Sequence, residues 1–371
     1  MTRLNEVRVV GTGLIGASIG LALRRQRVSV SLADTSPTAL ALARDLGAGH
    51  IPERFGAEGA TEPTLVVVAV PPDVTAGVVA AELRRWPLAT VTDVASVKSA
   101  VIDELGEAHL TVAELTRYVG SHPMAGRERS GAIAAKADLF DGRPWVLTPS
   151  RESCPASTAL VEQLARSVGA AVTVMTAQEH DAAVAAVSHV PQVAASLVAA
   201  RLRDLPTRSM ALAGAGLRDV TRIAASDPEL WTAILAGNAD AVGDVLADLM
   251  VDLSDVLEAL RLLSENPADA VGARGMLARL VSDGNAGHAR IPGKHGATPT
   301  TYTVVTVIVP DSPGELGRLL VEVGEEGVNL EDLHLEHNLG RLNGIAEISV
   351  VPAAADPLRA ALRERGWAVL D

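Results

Sequence analysis

The stretch VRVVGTGLIG at residues 7–16 decides the fold of the first part of this chain. Its apolar half predicts a buried strand, and the residues from 14 to 26 that follow it have the pattern of a helix. Gly11, Gly13 and Gly16 between them have the spacing G-x-G-x-x-G. The first glycine permits a tight turn, the second lets the backbone approach a pyrophosphate, and the third lets helix and strand pack closely. The stretch therefore predicts a dinucleotide-binding turn.

A carboxylate follows this turn at the expected distance. The second predicted strand ends in Asp34, eighteen residues beyond Gly16. A carboxylate there can bind the ribose hydroxyls and would repel a 2′-phosphate, so we expect NAD rather than NADP. The other interpretation is that Asp34 caps the helix that starts at Thr35-Ser36-Pro37. The residues expected at the cofactor are Gly11, Gly13, Leu14, Ile15, Gly16, Asp34, Val70, Pro71 and Ser96.

The chain falls into three predicted domains and a linker. Strands near 7–11, 28–34, 65–70 and 91–95 alternate with helices near 14–26, 36–47, 74–86 and 98–108, which predicts an α/β fold with a doubly wound Rossmann-type sheet over residues 1–150. Residues 151–283 are predicted to form an all-helical substrate and dimerisation domain, and the glycine-rich residues 284–300 a linker. Residues 301–371 predict a small α+β domain in the order β-α-β-β-α, with a possible short last strand.

Composition limits the possible classes of function. The net charge of −13 argues against nucleic acid or an anionic membrane as partner. The single cysteine, Cys154, excludes an internal disulfide and fits a reducing compartment. We find no run of about 18 uninterrupted apolar residues and no signal peptide, so a cytoplasmic enzyme is expected. We expect no metal site, and the long apolar segment 230–264 suggests burial against a second subunit in a homodimer.

Chemistry-bearing residues follow the predicted strands, at the edge where open α/β sheets bind ligands. Pro71-Pro72 follow one strand, Ser96 follows the next, and His122 lies in YVGSHPM at residues 118–124. A histidine can take a hydroxyl proton while hydride leaves the same carbon. Ser96 could hold that hydroxyl or the nicotinamide. The other interpretation is that His122 is a loop histidine whose hydrogen bonds are satisfied within the protein and which has no catalytic role.

Several segments resemble the prephenate and arogenate dehydrogenase family. They are DVASVK (93–98), GSHPMAGRERSG (120–131), Glu179-His180-Asp181, Ser188-His189-Val190-Pro191, and RDVTRIA (218–224) with Trp231 nine residues after Arg222. The resemblance covers about residues 7–285 in the family's order. The tail from Pro310 to Leu333 resembles an ACT domain, a module that often follows this enzyme and senses amino acids.

The resemblance implies roles for individual residues. His122 would accept a hydrogen bond from the ring C4 hydroxyl with help from Ser96, and Arg222 would pair with the ring carboxylate. Arginine suits that role because its planar fork matches a carboxylate and stays charged. His189 would line the substrate pocket, whereas His180, nine residues away, would face the opposite way on a straight helix. The alternatives are an ion pair of Arg222 with Asp219 or Asp227, and core roles for the two histidines.

One position departs from the family. Many members carry a second histidine three positions after the one matched by His189, and here that position is Gln192. Glutamine can hydrogen-bond to a substrate side chain but cannot carry charge. Gln192 itself favours neither prephenate nor arogenate strongly. The ammonium of arogenate would need a nearby carboxylate, and no matched segment names one, so prephenate is expected, with arogenate as the alternative.

Two further readings stay open at the level of sequence. Lys98 would suit a 3-hydroxyacid dehydrogenase, but we expect it to be a helix-start lysine near the cofactor. A non-catalytic NAD or amino-acid sensor is the other possibility. In the last domain we expect tyrosine as effector, bound near Asp311, Gly314 and Asn329, unless that domain only dimerises or stabilises the chain.

Overall fold

The computed structural model describes residues 4–52, 62–125, 131–266, 270–292, 302–337 and 343–370. The chain divides into two compact units, residues 1–250 and 251–371. The predicted linker at 284–300 lies partly outside the described residues, as does the family-like segment at 120–131.

The first unit is built on a seven-stranded sheet formed by the described residues. Its strands are β1 (Glu6–Val10), β2 (Ser29–Ala33), β3 (Leu65–Val68), β4 (Thr90–Asp93), β5 (Tyr118–Pro123), β6 (Pro144–Thr148) and β7 (Ala171–Val174). Their order is β2-β1-β3-β4-β5-β6-β7, and the pairing is parallel except between β5 and β6. The strand order reverses between β1 and β3, which is where a doubly wound sheet binds its ligand.

Helices cover both faces of this sheet. They are α1 (Leu14–Arg25), α2 (Pro37–Asp45), α3 (Pro72–Arg85), α4 (Ser99–Glu107), α5 (Val112–Leu115) and α6 (Pro155–Ser167). One apolar core lies under α1, α2 and α6, and a second lies under α3 and α4. The four strands and four helices predicted from the sequence are confirmed. The boundary predicted at residue 150 is too early, because the last strand of the same sheet, β7, ends at Val174.

A helical region follows the sheet. Its helices are α7 (Ala177–Val184), α8 (Val190–Leu202), α9 (Thr207–Met210), α10 (Ala215–Thr221), α11 (Pro228–Gly237), α12 (Ala239–Glu265) and α13 (Ala273–His288). A capping box of Thr176 and Glu179 starts α7, with both reciprocal hydrogen bonds present. The Asp227 side chain caps α11 by accepting from the Glu229 and Leu230 N–H groups.

Helices α7 and α8 are joined by a π turn over Ala185–His189. Pro191 follows that turn, and a proline lacks the N–H that a regular helix would need there, so a local rearrangement is expected. The turn holds one residue more than an α-turn and rotates α8 relative to a straight continuation of α7. The combined run Ala177–Leu202 is long and apolar enough to pass a length-and-composition test for a membrane span. Core helices of soluble proteins pass the same test, and this run carries His180, Asp181 and His189.

The second unit, from residue 251, holds the end of α12, α13 and a small sheet domain. Helix α13 runs to His288, so the predicted linker cannot begin at residue 284. The sheet domain comprises β8 (Thr303–Pro310), α14 (Glu315–Glu325), β9 (Asp332–His337), β10 (Asn343–Val350), α15 (Pro352–Glu364) and β11 (Ala368–Leu370). Its four strands have the order β11-β8-β10-β9, and both helices pack on one apolar core with the sheet. The predicted β-α-β-β-α order and the short last strand are confirmed.

Candidate active site

The glycine-rich turn after β1 has the geometry that a dinucleotide needs. Gly11 has φ +93°, and a Cβ there would lie 2.2 Å from the Ala69 carbonyl oxygen. A Cβ on Gly16 would lie 2.0 Å from the carbonyl oxygen of Gly11, whereas a Cβ on Gly13 would meet nothing within 4 Å. The outer glycines are therefore required by packing, and Gly13 faces open space. No side chain caps the α1 N-terminus, so its N–H groups are available to a pyrophosphate.

Asp34 lies at the end of β2 and is tied to the glycine-rich turn. Its carboxylate accepts hydrogen bonds from the Thr12 N–H at 2.6 Å and the Thr12 hydroxyl at 2.7 Å. The other oxygen accepts from the Ser36 N–H at 2.8 Å, while the Ser36 hydroxyl itself caps α2. Capping by Asp34, the alternative above, is therefore not the arrangement found. The carboxylate is half-buried at the position expected for the ribose hydroxyls.

A cavity of about 980 Å³ lies beyond the carboxyl ends of β4 and β5. It is lined by every residue that the sequence assigns to catalysis or to the substrate: Ser96, His122, His189, Gln192 and Arg222. Trp231 lines it as well, with its ring edge-on to His189 at 6.0 Å between centroids. None of the described residues that line this cavity is acidic. The cavity thus suits an anionic, partly apolar small molecule.

Behind His122 the structure shows a chain of three hydrogen-bonded side chains. His122 Nδ1 lies 2.8 Å from His180 Nε2, and His180 Nδ1 lies 2.8 Å from Asp181 Oδ1. His180 is fully buried and does not line the cavity. The expectation that His180 and His189 do not both face the substrate agrees with this placement. The role of His180 as the partner of His122 was not anticipated from the sequence.

Asp181 is held in its ionised form by the start of α4. Its Oδ1 accepts from the Lys98 N–H at 2.9 Å and its Oδ2 from the Ser99 N–H at 2.7 Å. Burial acts to raise the pKa of Asp181, but hydrogen bonds from His180 and Ser99 outweigh it, and the pKa is lowered. The partial positive charge of a helix N-terminus stabilises the carboxylate further.

The hydrogen bonds that join Asp181, His180 and His122 fix the tautomer of His122. The Asp181 carboxylate accepts a proton from His180 Nδ1, so in neutral His180 the Nε2 atom carries a lone pair. That lone pair accepts the Nδ1 proton of His122, which leaves His122 Nε2 as a hydrogen-bond acceptor. Burial, together with nearby His180, Lys98 and His189, lowers the pKa of His122 well below 6.5. His122 is therefore a neutral base at physiological pH.

Lys98 lies directly before α4, as predicted. Its side chain is fully buried, donates to Ser121 O at 2.8 Å and forms an ion pair with Asp93. The Tyr118 hydroxyl donates to the other Asp93 oxygen at 2.7 Å. Burial lowers the pKa of Lys98, and Asp93 partly offsets this. The Lys98 ammonium is therefore held by Asp93 and by the carbonyl of Ser121, the residue directly before His122.

Gln192 is buried in the wall of the cavity between two hydroxyls. Its amide nitrogen lies 3.4 Å from the Ser196 hydroxyl, and its carbonyl oxygen lies 3.5 Å from the Ser226 hydroxyl. These bonds are long, so the amide can turn toward a ligand at little cost. Lys136, which sequence reasoning did not single out, lines the cavity as a second cation in addition to Arg222. Nothing in its local sequence distinguishes it from a solvated surface lysine.

The glycine-rich turn, Asp34 and the basic cavity at the strand ends define an NAD-dependent dehydrogenase. The chain matches the family model of the prephenate dehydrogenase nucleotide-binding domain over residues 19–174 and that of the dimerization domain over residues 176–270. It is 38% identical over 365 residues to the probable prephenate dehydrogenase NovF of Streptomyces niveus, covering 97% of this chain and 98% of that protein. The chain belongs to the prephenate dehydrogenase family.

Other relatives agree with this assignment. Prephenate dehydrogenase of Bacillus subtilis is 29% identical over 362 residues, with 93% of this chain and 92% of that protein covered. The solved structure of prephenate dehydrogenase from Aquifex aeolicus with hydroxyphenyl propionate and NAD+ superposes with a TM-score of 0.66 at 26% identity, over 78% of this chain and 99% of that one. Arogenate dehydrogenase of Synechocystis gives 0.61 at 26% identity, over 76% and 98%. The expected oxidoreductase class and NAD as cofactor are thereby confirmed, and the non-catalytic sensor is excluded.

Proposed function

We propose that this enzyme oxidises and decarboxylates prephenate to 4-hydroxyphenylpyruvate in tyrosine biosynthesis. Prephenate is a cyclohexadienol with a carboxylate on the ring and a second carboxylate on its keto-acid side chain. The observation that carries the proposal is one cavity that combines an acceptor nitrogen on His122 with the guanidinium of Arg222. A hydroxyl to be deprotonated and a carboxylate to be held are what these two groups complement.

In the reaction, His122 Nε2 accepts the proton of the C4 hydroxyl as hydride leaves C4. NAD, when bound at the glycine-rich turn, supplies the acceptor for that hydride. The positive charge that develops on His122 is stabilised through His180 by the ionised Asp181. Ser96 lines the same cavity and assists in holding the hydroxyl.

The ring carboxylate leaves as CO2 after oxidation, because loss of CO2 from the dienone gives an aromatic ring. Arg222 pairs with this carboxylate before it leaves and orients the ring with C4 toward His122. Aromatisation makes the overall step effectively irreversible.

Prephenate is favoured over arogenate by the charge of the cavity. Arogenate carries an ammonium group in place of the side-chain keto group, and an ammonium requires a nearby carboxylate. The described residues that line the cavity include Lys136 and Arg222 but no acid, and Gln192 is neutral. Purified enzyme with NAD should therefore show a higher kcat/KM for prephenate than for arogenate. A higher value for arogenate would reverse the substrate assignment without changing the reaction.

A homodimer in the cytoplasm, without nucleic acid or membrane partner, is the proposed form of the enzyme. The match to a dimerization domain supports the dimer. So do large apolar side chains exposed along α12, with Met250 65%, Val251 61%, Leu253 58% and Leu257 60% exposed. Such a row is costly in water and is typical of a subunit interface. Sedimentation of the purified chain as a monomer would contradict this.

The small sheet domain at residues 302–370 is proposed to sense tyrosine in the manner of an ACT domain. Asp311, Gly314 and Asn329 are exposed, and Gly314, with φ +93°, lies directly before α14. The N–H groups of that helix could bind the amino acid's carboxylate, and Asp311 its ammonium. The alternative is a domain that only dimerises or stabilises the chain.

Deleting residues from about 298 onward should leave a dehydrogenase that no longer responds to tyrosine. In the full chain, Asp311→Asn should weaken inhibition without changing the KM for prephenate. Competition at the active site predicts the opposite, since the truncated enzyme would stay as sensitive as the intact one.

A further inference from the structure

Asn238 lies at the junction of α11 and α12 and is buried beside the active site. Its amide nitrogen Nδ2 lies 2.9 Å from the backbone carbonyl oxygen of Asp181 and 3.1 Å from His189 Nδ1. Asp181 therefore serves both histidines of the site. Its carboxylate binds His180 behind His122, and its carbonyl oxygen binds Asn238 behind His189.

These two contacts determine the tautomer of His189. A carbonyl oxygen only accepts hydrogen bonds, so the amide atom 2.9 Å from Asp181 O must be the nitrogen. An NH2 group offers two hydrogens and no acceptor, so His189 Nδ1 must accept the second hydrogen and cannot carry a proton. The proton of the neutral ring is then on Nε2. Burial lowers the pKa of His189 to about 4, which agrees with a neutral ring.

We infer that Asn238 is a positioning residue that makes His189 a hydrogen-bond donor toward a carboxylate of the substrate. The two histidines of the cavity then have opposite polarity: His122 presents an acceptor and His189 a donor. The hydroxyl that must lose its proton complements the acceptor on His122. A carboxylate, which only accepts hydrogen bonds, complements the donor on His189 and the guanidinium of Arg222. With the other tautomer, a lone pair of His189 would face the carboxylate and repel it.

The first test does not depend on any substrate. Nitrogen-15 NMR of the ring nitrogens in the ligand-free, histidine-labelled enzyme distinguishes the two neutral tautomers, and His189→Gln identifies the signal by its loss. We expect His189 as the Nε2–H tautomer, and in Asn238→Ala a mixture of both. A resting His189 protonated on Nδ1 would overturn the inference, whatever the enzyme's activity.

The second test rests on the proposed function and uses prephenate. Asn238→Ala should raise the KM on the order of 10-fold with a smaller change in kcat, while Asn285→Ala, on the exposed face of α13, should leave both unchanged. His189→Gln keeps an amide donor at the place of Nε2, so it should bind prephenate better than His189→Asn, whose amide reaches only the place of Nδ1. Equal KM values for the two histidine variants would contradict a donor at Nε2. If neither prephenate nor arogenate is turned over while the NMR result holds, the proposed function fails and the tautomer assignment stands.

Discussion

The substitution Asp181→Asn tests the hydrogen-bonded chain behind His122 with the smallest change of shape. The carboxylate accepts three hydrogen bonds, from Lys98 N, Ser99 N and His180 Nδ1. An asparagine has one oxygen and one NH2 group, so either amide orientation keeps two bonds and places one N–H against another N–H. Neither orientation is strongly preferred on this count.

The orientation that turns the amide NH2 toward His180 reverses the direction of every hydrogen bond from residue 181 to His122. His180 would then donate from Nε2, His122 would accept at Nδ1, and His122 Nε2 would carry a proton toward the substrate. In the other orientation His122 keeps its tautomer, with Nε2 as acceptor, but no negative charge stabilises the proton that His122 takes up. A base that is lost or in the wrong tautomer costs about 100- to 10,000-fold in rate, which is about 2.7 to 5.5 kcal/mol of barrier.

We therefore expect kcat for prephenate to fall by about 100-fold or more in Asp181→Asn, with little change in NAD affinity. NADH absorbance gives the rates, and thermal unfolding shows that the variant is folded. Glu114→Gln is the matched control, because Glu114 also accepts an N–H group at a helix start but touches no histidine in the described contacts. The same change from carboxylate to amide at that position should leave kcat unchanged. A kcat for folded Asp181→Asn within about threefold of the unaltered enzyme would refute the reasoning.

Four further predictions concern the pocket and the cofactor turn. Because the pKa of His122 is lowered and the base works unprotonated, kcat/KM should stay level as pH falls through 6.5 and decline only at lower pH; a midpoint near 6.5 would contradict this. His122→Asn should lose about 100-fold or more in kcat on the pH plateau, where His122 of the unaltered enzyme is unprotonated. Arg222→Gln should raise the KM for prephenate more than it lowers kcat, since the carboxylate is held in ground and transition states alike; an unchanged KM would remove its role. Asp34→Asn should narrow the preference for NAD over NADP, measured as the ratio of kcat/KM values. Equal use of both cofactors by the unaltered enzyme would be inconsistent with a carboxylate at Asp34 that binds the ribose hydroxyls.

Local patterns were sufficient to predict most of the sheet. The glycine spacing at 11–16 and the apolar runs that end at Gly11, Asp34, Val70 and Ala95 predict four parallel strands, because a buried strand requires nearly every side chain to be apolar. Strands β5 to β7 lack such clear signals, and β7 is largely exposed. The domain boundary was therefore placed too early, before β7.

The active site was predictable in its residues but not in its hydrogen-bond network. Residues that face the cavity, such as His122 and Arg222, stand in recognisable segments. The partnership of His180 with His122 depends on α7 packing beside β5, across 58 residues of sequence. Asn238 was missed because nothing in the long apolar segment 230–264 marks the break between α11 and α12 at this residue, which brings its amide to His189. Long-range contacts of this kind leave no local pattern.

The most direct test of the central claim uses prephenate that carries deuterium at C4. With the purified enzyme and NAD, the deuterium should appear in the reduced cofactor, in equal amount to 4-hydroxyphenylpyruvate and CO2, and the product should carry none. Formation of phenylpyruvate, or of any product without reduction of NAD, would show that hydride does not leave C4 and would contradict the assignment of this chain as a prephenate dehydrogenase.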